Sequence, residues 1–153
     1  MKKLAYTSLF ALCGFFGFTS LNAQTLVDVH AGYDFGFDAA YLGGGVEINE
    51  WVLLTADLGT NADQVITKTN IAVRTMRFRE AQVDVFLGLG GGRAWSVVEN
   101  GYDDWMAELI ATVQIRPFYF GYGLGFYTPI ENPNLEGFGN YHYFRVGVLF
   151  DMR

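Results

Sequence analysis

The residue types that could carry catalysis are scarce in this chain. Beyond residue 23 the sequence holds one serine, Ser96, and two histidines, His30 and His142. A hydrolase needs its nucleophile within hydrogen-bond reach of a base, and no recognisable motif surrounds Ser96 or His142. We therefore predict that the protein is not an enzyme. A lipid-hydrolysing site that uses Ser96 and His142 is the alternative.

Metal and phosphate chemistry are equally poorly supported. Asp103 and Asp104 lie in a predicted loop without the spacing of a calcium loop. The stretch from Gly90 to Arg93 lacks the strand-to-helix setting and the Lys-Ser/Thr pair of a phosphate loop. The only cysteine, Cys13, lies in a predicted signal peptide. The sequence therefore predicts no metal, no cofactor and no disulfide.

The charged residues offer another chemistry, because they recur on one side of alternating segments. If that side surrounds a narrow interior, its charges must pair, since an unpaired buried charge is costly. We predict a luminal network of acid–base pairs that plugs the interior, with a charged gate or narrow ion path as the alternative. Its members are the acids Asp28, Asp34, Glu47, Asp57, Asp84 and Glu108 and the bases His30, Arg74, Arg116 and Arg145.

Those residues are placed by a strong alternation of apolar and polar residues, the periodicity of β-strands. In the segment 26–37 the apolar face runs from Val27 to Phe37, and its polar face includes Asp28 and His30. The segment 105–116 sorts in the same way. The alternation predicts eight strands of about ten residues, long enough to cross a bilayer at a tilt. They span 26–37, 40–49, 51–59, 69–78, 82–92, 105–116, 118–128 and 144–150.

The connections between these strands alternate in length. Residues 49–50, 79–81 and 116–117 form tight turns, whereas 60–68, 94–103 and 129–140 form longer loops; only the connection near Asp38 is unusually short. Aromatic residues fall near both ends of the strands, with Trp51, Phe78, Phe118 and Phe150 at the short turns and Phe37, Trp105 and Phe126 at the other end. Both features are typical of outer-membrane barrels.

The polarity of the alternation indicates which face points outwards. A soluble barrel places apolar side chains inside, but the alternate face here is rich in Asp, Glu, Arg and Gly. The inward glycines predict either strong curvature, with Tyr41, Phe86 and Tyr119 filling the space, or a small cavity. A soluble lipocalin-like barrel is the minor alternative, because alternation alone does not say which face points in.

The N-terminus predicts export. Lys2 and Lys3 precede an uncharged apolar run that ends before Ala23, which is the layout of a secretory signal peptide. We predict a cleaved signal peptide over residues 1–23 and one domain over residues 24–153. Removal of the two lysines changes the formal charge from −6 to −8. An acidic chain of this kind disfavours nucleic-acid binding.

The C-terminus carries one short motif. Arg145, Gly147, Phe150 and Met152 occupy the polar, glycine, aromatic and final apolar positions of the C-terminal signal of outer-membrane barrels. With its eight strands, the chain resembles the family of small outer-membrane barrels that includes the OmpX-type proteins and the transmembrane domain of outer-membrane protein A. The resemblance implies recognition of the last strand by the outer-membrane barrel assembly machinery.

These observations together predict an all-β fold, an eight-stranded antiparallel up-and-down transmembrane β-barrel. We expect a monomer in the outer membrane of a Gram-negative cell, in contact with outer-membrane lipid. Its predicted role is structural or adhesive, with surface contacts made by Trp95, Tyr102, Asn134 and Phe138 in the loops. A narrow pore or a small-ligand carrier is the competing hypothesis.

Overall fold

The chain forms a closed barrel of eight antiparallel strands. The computed structural model describes residues 26–99, 101, 103–129 and 139–152. The predicted signal peptide and the loop residues Tyr102, Asn134 and Phe138 lie outside these ranges. Each strand pairs with the next in sequence, and β8 pairs with β1. The strands are β1 (Leu26–Asp34), β2 (Ala39–Ile48), β3 (Val52–Thr60), β4 (Gln64–Phe78), β5 (Val83–Ser96), β6 (Asp104–Ile115), β7 (Phe118–Pro129) and β8 (Gly139–Asp151).

The barrel closes along the whole of β1. Pairing with β8 runs from Leu26 opposite Asp151 to Asp34 opposite Tyr143 without interruption. Closure of this kind leaves no strand with a row of unpaired backbone groups. The predicted fold class, an eight-stranded antiparallel up-and-down barrel, is therefore confirmed.

The outer wall is apolar around the full circumference. On every strand a large aliphatic side chain points away from the barrel and is about half exposed: Val29, Leu42, Leu58, Ile71, Leu87, Leu109, Leu124 and Val146. Most charged side chains of the same strands are buried inside. This is the reverse of a soluble barrel. The described residues contain no helix that is long and apolar enough to cross a membrane.

The connections differ at the two ends of the barrel. Residues 49–51, 79–82 and 116–117 link the strands at the short-turn end, and residues 35–38, 61–63 and 97–103 link them at the long-loop end. The loop predicted over 60–68 is wrong, because β4 begins at Gln64. The Asn61 side chain accepts hydrogen bonds from the backbone N–H groups of Asp63 and Gln64, which turns the chain within three residues.

Two side chains face the opposite way from their predicted orientation. β1 ends at Asp34, whose carboxylate accepts a hydrogen bond from the Phe37 backbone N–H and so turns the chain inwards. Phe37 is consequently only 8% exposed and packs on Tyr141 instead of belonging to the outer aromatic belt. In the predicted strand 69–78 the alternation places Met76 on the same inward face as Arg74, but a register shift between Arg74 and Met76 turns it to the outer wall, where it is 57% exposed.

Most luminal glycines lie opposite a large luminal side chain on the neighbouring strand. At most of these glycines a Cβ would overlap that side chain, and at Gly121 it would lie 3.2 Å from Arg145 Nε, so the glycines provide the space that their partners fill. Tyr41, Phe86 and Tyr119 are all buried inside, as predicted. The glycine pairs are Gly43 with His30, Gly45 with Asp28, Gly59 with Tyr41, Gly90 with Asn70, Gly121 with Arg145, Gly123 with Tyr143, Gly125 with Tyr141 and Gly147 with His30.

This pairing predicts the effect of adding one methyl group at Gly123. In Gly123→Ala the new Cβ would overlap the buried ring of Tyr143, and overpacking of this kind costs about 1–3 kcal/mol. The free energy of unfolding can be measured by urea titration in detergent micelles. Tyr143→Ala should remove most of the penalty in a double-mutant cycle.

The matched control is Gly44→Ala, on the outer wall. Its Cβ would approach one backbone oxygen, that of Asp28, at 3.1 Å. We expect a change below about 1 kcal/mol, because alanine also loses less backbone entropy than glycine on folding. Equal losses at Gly123 and Gly44 would contradict the pairing of glycines with luminal side chains.

Candidate functional site

The interior of the barrel is lined by charged and polar side chains, and it contains nearly all of the predicted network. Nine of the ten predicted residues are buried in the lumen: Asp28, His30, Asp34, Glu47, Asp57, Arg74, Asp84, Glu108 and Arg145. Arg116 is exposed in the turn between β6 and β7. The buried charges form three groups along the barrel axis, which we call the short-turn cluster, the middle cluster and the lysine cage.

The short-turn cluster is centred on Arg74, which comes from β4 and reaches acids on two other strands. Its guanidinium donates to Glu47 at 2.5 Å and lies 3.2 Å from Asp84. Arg77 extends the cluster to the barrel mouth, where it donates to Glu50 at 2.5 Å. That hydrogen bond holds the pKa of the Glu50 carboxyl, in the turn after β2, below its ordinary value.

Arg116 occupies the mouth below this cluster instead of the lumen. The strand alternation ends at Ile115, and the turn at Arg116 and Pro117 directs the arginine side chain out of the barrel. There it lines a half-open cavity of about 430 Å³ together with Arg79 and Gln82.

The middle cluster joins four charged groups from three strands. Asp57 lies 2.8 Å from the Arg145 guanidinium and 2.5 Å from Nε2 of His30. The other ring nitrogen of His30 contacts Asp28, and Tyr119 stacks on the imidazole at 5.0 Å. Each ring nitrogen of His30 therefore faces a carboxylate, so the imidazole bridges Asp28 on its own strand and Asp57 on β3.

The lysine cage lies towards the long-loop end. The Lys68 ammonium donates to Asp34 at 2.9 Å and lies 3.4 Å from Glu108. These three groups come from β4, β1 and β6, so they meet only because the barrel is closed. All three are buried.

Tyrosine hydroxyls fix the two carboxylates of the cage. Tyr41 donates to Asp34 at 2.6 Å. Tyr141 and Tyr143 donate to the two oxygens of Glu108 at 2.6 and 2.8 Å. Hydrogen bonds to a charged acceptor are among the stronger ones in proteins, so the carboxylates are held in place by contacts that do not involve the lysine.

Side chains fill the lumen at each level of these clusters. Residues less than 2% exposed include Phe86 and Glu47 near the short turns, His30 and Arg145 in the middle, and Tyr143 above them. Water in a continuous wide channel would leave such side chains accessible. The arrangement therefore holds paired charges in fixed positions inside the barrel.

Sequence reasoning did not find Lys68, Tyr141 or Tyr143. The alternation predicts a loop over residues 60–68, which includes Lys68, and it predicts that the last strand begins at Phe144. The signal was present, since Lys68, Asn70, Ala72 and Arg74 continue one face of β4 at a spacing of two. The alternation is weak there because the outward positions between these residues include threonines, which are polar, so the two faces differ little in polarity.

Ser96 and His142 do not form a catalytic pair in the described structure. They lie on β5 and β8, which are not neighbouring strands. The Ser96 hydroxyl donates to the backbone carbonyl of Val98, and His142 contacts Tyr122 on the outside of the barrel.

Among the described residues, no group of three His, Cys, Asp or Glu side chains is arranged to hold a metal ion.

Comparison with known proteins finds similarity in fold. No family model and no curated protein matches the chain. Similar solved structures include the N-terminal β-barrel domain of Pseudomonas aeruginosa OprF, with 15% identity over 83% of this chain and 97% of that chain and a TM-score of 0.47. A de novo designed transmembrane β-barrel matches with 14% identity over 84% and 95% and a TM-score of 0.46. The designed barrel TMB2.3 matches with 9% identity over 85% and 94% and a TM-score of 0.45. Identities this low assign no activity.

The short-turn cluster predicts unequal effects for two arginines on β4. Arg74→Met leaves Glu47 and Asp84 buried without their common partner, and loss of one partner of a buried pair costs about 3–5 kcal/mol. Arg77→Met is the matched control, because Arg77 and Glu50 are 32% and 43% exposed and exposed pairs contribute about 0–1 kcal/mol. Arg77 also lies 3.6 Å from Asp84, but in this variant Asp84 keeps its closer partner Arg74 at 3.2 Å. Urea unfolding in micelles measures both values. A loss below 1 kcal/mol for Arg74→Met would contradict the paired network.

Proposed function

We propose that the chain is an integral outer-membrane barrel of a Gram-negative cell, with a lumen closed by its own side chains and a structural role. The observation that carries the proposal is the apolar outer wall, which runs around all eight strands while the charges lie inside. Soluble monomers rarely expose an apolar patch larger than a few hundred Å². A bilayer is the environment that matches this wall.

The aromatic side chains support the same environment. Trp51, Phe78 and Phe118 are more than half exposed at the short-turn end, and Trp105 is so at the other end. Aromatic rings at two levels of a barrel are favoured where headgroups meet the hydrocarbon core. Export by the predicted signal peptide and assembly by the barrel assembly machinery belong to this proposal.

The predicted assembly signal lies along the seam that closes the barrel. Gly147 pairs with His30 and Phe150 pairs with Val27 across β8 and β1. Phe150 and Met152 face outwards at the end of the last strand. These apolar side chains are therefore accessible to an assembly factor that binds β8 before β8 pairs with β1.

One substitution distinguishes a lipid-facing wall from a water-facing one. Leu109 lies in the middle of β6 on the outer wall and is 55% exposed. In a bilayer, Leu109→Arg should cost about 2–4 kcal/mol and lower the amount of protein recovered in the outer-membrane fraction of a Gram-negative host. Urea unfolding in lipid vesicles gives the energetic value.

Val98→Arg is the control for this experiment. Val98 lies in the loop after β5 and is 45% exposed, so a charge there should change the stability by less than about 0.5 kcal/mol. If Leu109→Arg were as harmless as Val98→Arg, or if the wild-type chain stayed soluble without detergent, the membrane proposal would fail.

A narrow cation path is the second candidate function. Among the described residues, seven acids are buried in the barrel, against four buried basic groups: His30, Lys68, Arg74 and Arg145. An excess of acidic groups in a confined passage favours cations. Asp28 Oδ2 and both amide atoms of Gln114 are buried without a protein hydrogen-bond partner, so polar groups remain in the lumen that could contact a passing ion.

Single-channel recording in planar bilayers separates a closed lumen from a path. We expect the wild-type barrel to show no stable conductance, because buried side chains fill each level of the lumen. A stable, cation-selective conductance from the purified protein would instead establish the second candidate. Removal of a plug residue by Arg145→Ala should raise conductance only if the network is the barrier.

A further inference from the structure

The lysine cage surrounds one ammonium with aromatic faces as well as carboxylates. The Lys68 Nζ lies 3.9 Å from the ring centre of Tyr143, 4.4 Å from that of Tyr141 and 4.6 Å from that of Tyr41. Aromatic faces within about 6 Å attract cations through the ring quadrupole, and aromatic cages are a known means of binding organic ammonium groups. Together with Asp34 and Glu108, three rings therefore surround the Lys68 ammonium, and the Tyr143 ring also lies 5.3 Å from the Arg145 guanidinium.

The cage is held together by contacts of its own. The tyrosine hydroxyls donate to the carboxylates and not to the lysine. Each ring is also seated opposite a glycine on the next strand: Tyr41 opposite Gly59, Tyr141 opposite Gly125 and Tyr143 opposite Gly123. The walls are therefore positioned by neighbouring strands, and the lysine side chain enters them from β4.

The charge of the cage also favours a cation. Asp34 and Glu108 are two acids, and among the described residues Lys68 is the basic side chain in contact with both. Without a cation, two buried carboxylates would lie close together, which is strongly unfavourable. An occupant with one positive charge and several N–H donors satisfies both acids, as the lysine does.

We propose that the lysine cage is a binding site for primary alkylammonium groups and that Lys68 is its built-in ligand. When the lysine is shortened, the cage accepts a free alkylammonium ion of the length that was removed. The cage is defined by luminal side chains alone and does not depend on the proposed membrane role. That role is tested separately, by the solubility of the wild-type chain and by Leu109→Arg.

The experiment uses Lys68→Ala with n-propylammonium as the probe. The substitution deletes three methylene groups and the ammonium, which n-propylammonium replaces. We expect about 50 mM of the probe to raise the thermal unfolding midpoint of the variant by roughly 3 °C or more in micelles. The wild-type chain and Lys68→Met, in which methionine occupies the space without a charge, should shift by less than about 1 °C.

Matched probes separate the contributions to binding. Neutral n-propanol has the same chain length, so an equal shift with n-propanol would overturn the proposal in favour of an apolar cavity. Sodium ions carry the charge without the N–H donors, and an equal shift with sodium would overturn the preference for ammonium. In the Lys68→Ala background, Tyr143→Leu should weaken the response to propylammonium at least threefold, whereas Tyr143→Phe, which keeps the ring, should weaken it less.

Refolding yield covers the case in which Lys68→Ala is too unstable to melt. If the cage binds the probe, refolding from urea should recover with n-propylammonium and not with n-propanol. If the probe produces neither a higher midpoint nor a higher refolding yield, the proposal is overturned.

Discussion

The carboxylate of Asp57 connects the parts of the barrel that lie farthest apart in the sequence. It contacts Arg145 on β8 at 2.8 Å and His30 on β1 at 2.5 Å. β1 and β8 are the strands that close the barrel, so this one acid on β3 bridges the seam from the inside. The other buried charges of the lumen are subject to the same constraint. A charge in a narrow interior needs a partner of opposite sign.

The glycines and the long side chains of the lumen depend on each other. A cylinder of eight strands has little internal volume, yet it contains several tyrosines, two arginines and a lysine. Glycines on the adjacent strands leave room for these side chains, as at Gly123 beneath Tyr143. Of the two predicted alternatives, the filled interior agrees with the structure, since Tyr41, Phe86 and Tyr119 are buried and further side chains occupy the space beside the glycines.

The sequence predicts the direction of a side chain correctly where apolar and polar residues alternate without interruption. Where a strand alternates without interruption, as from Trp105 to Ile115, the sequence predicts both faces correctly. The errors at Phe37, Met76 and Arg116 all occur where the alternation is interrupted, by a turn or by a register shift. A one-residue change in register moves a side chain to the opposite face, so the ends of strands are where local patterns are least informative.

The sequence by itself determined the strand count and the sorting of most charges onto the face opposite the apolar one. Both follow from a period of two, which is a local property of the chain. The closed antiparallel topology was predicted from the alternating loop lengths and from the resemblance to small outer-membrane barrels. Only the tertiary structure decided which charges meet. Lys68 lies 34 residues from Asp34 and 40 from Glu108, and their contact depends on how strands four, one and six are staggered around the axis. Stagger is a property of the closed barrel as a whole, so no segment read alone could have shown the cage.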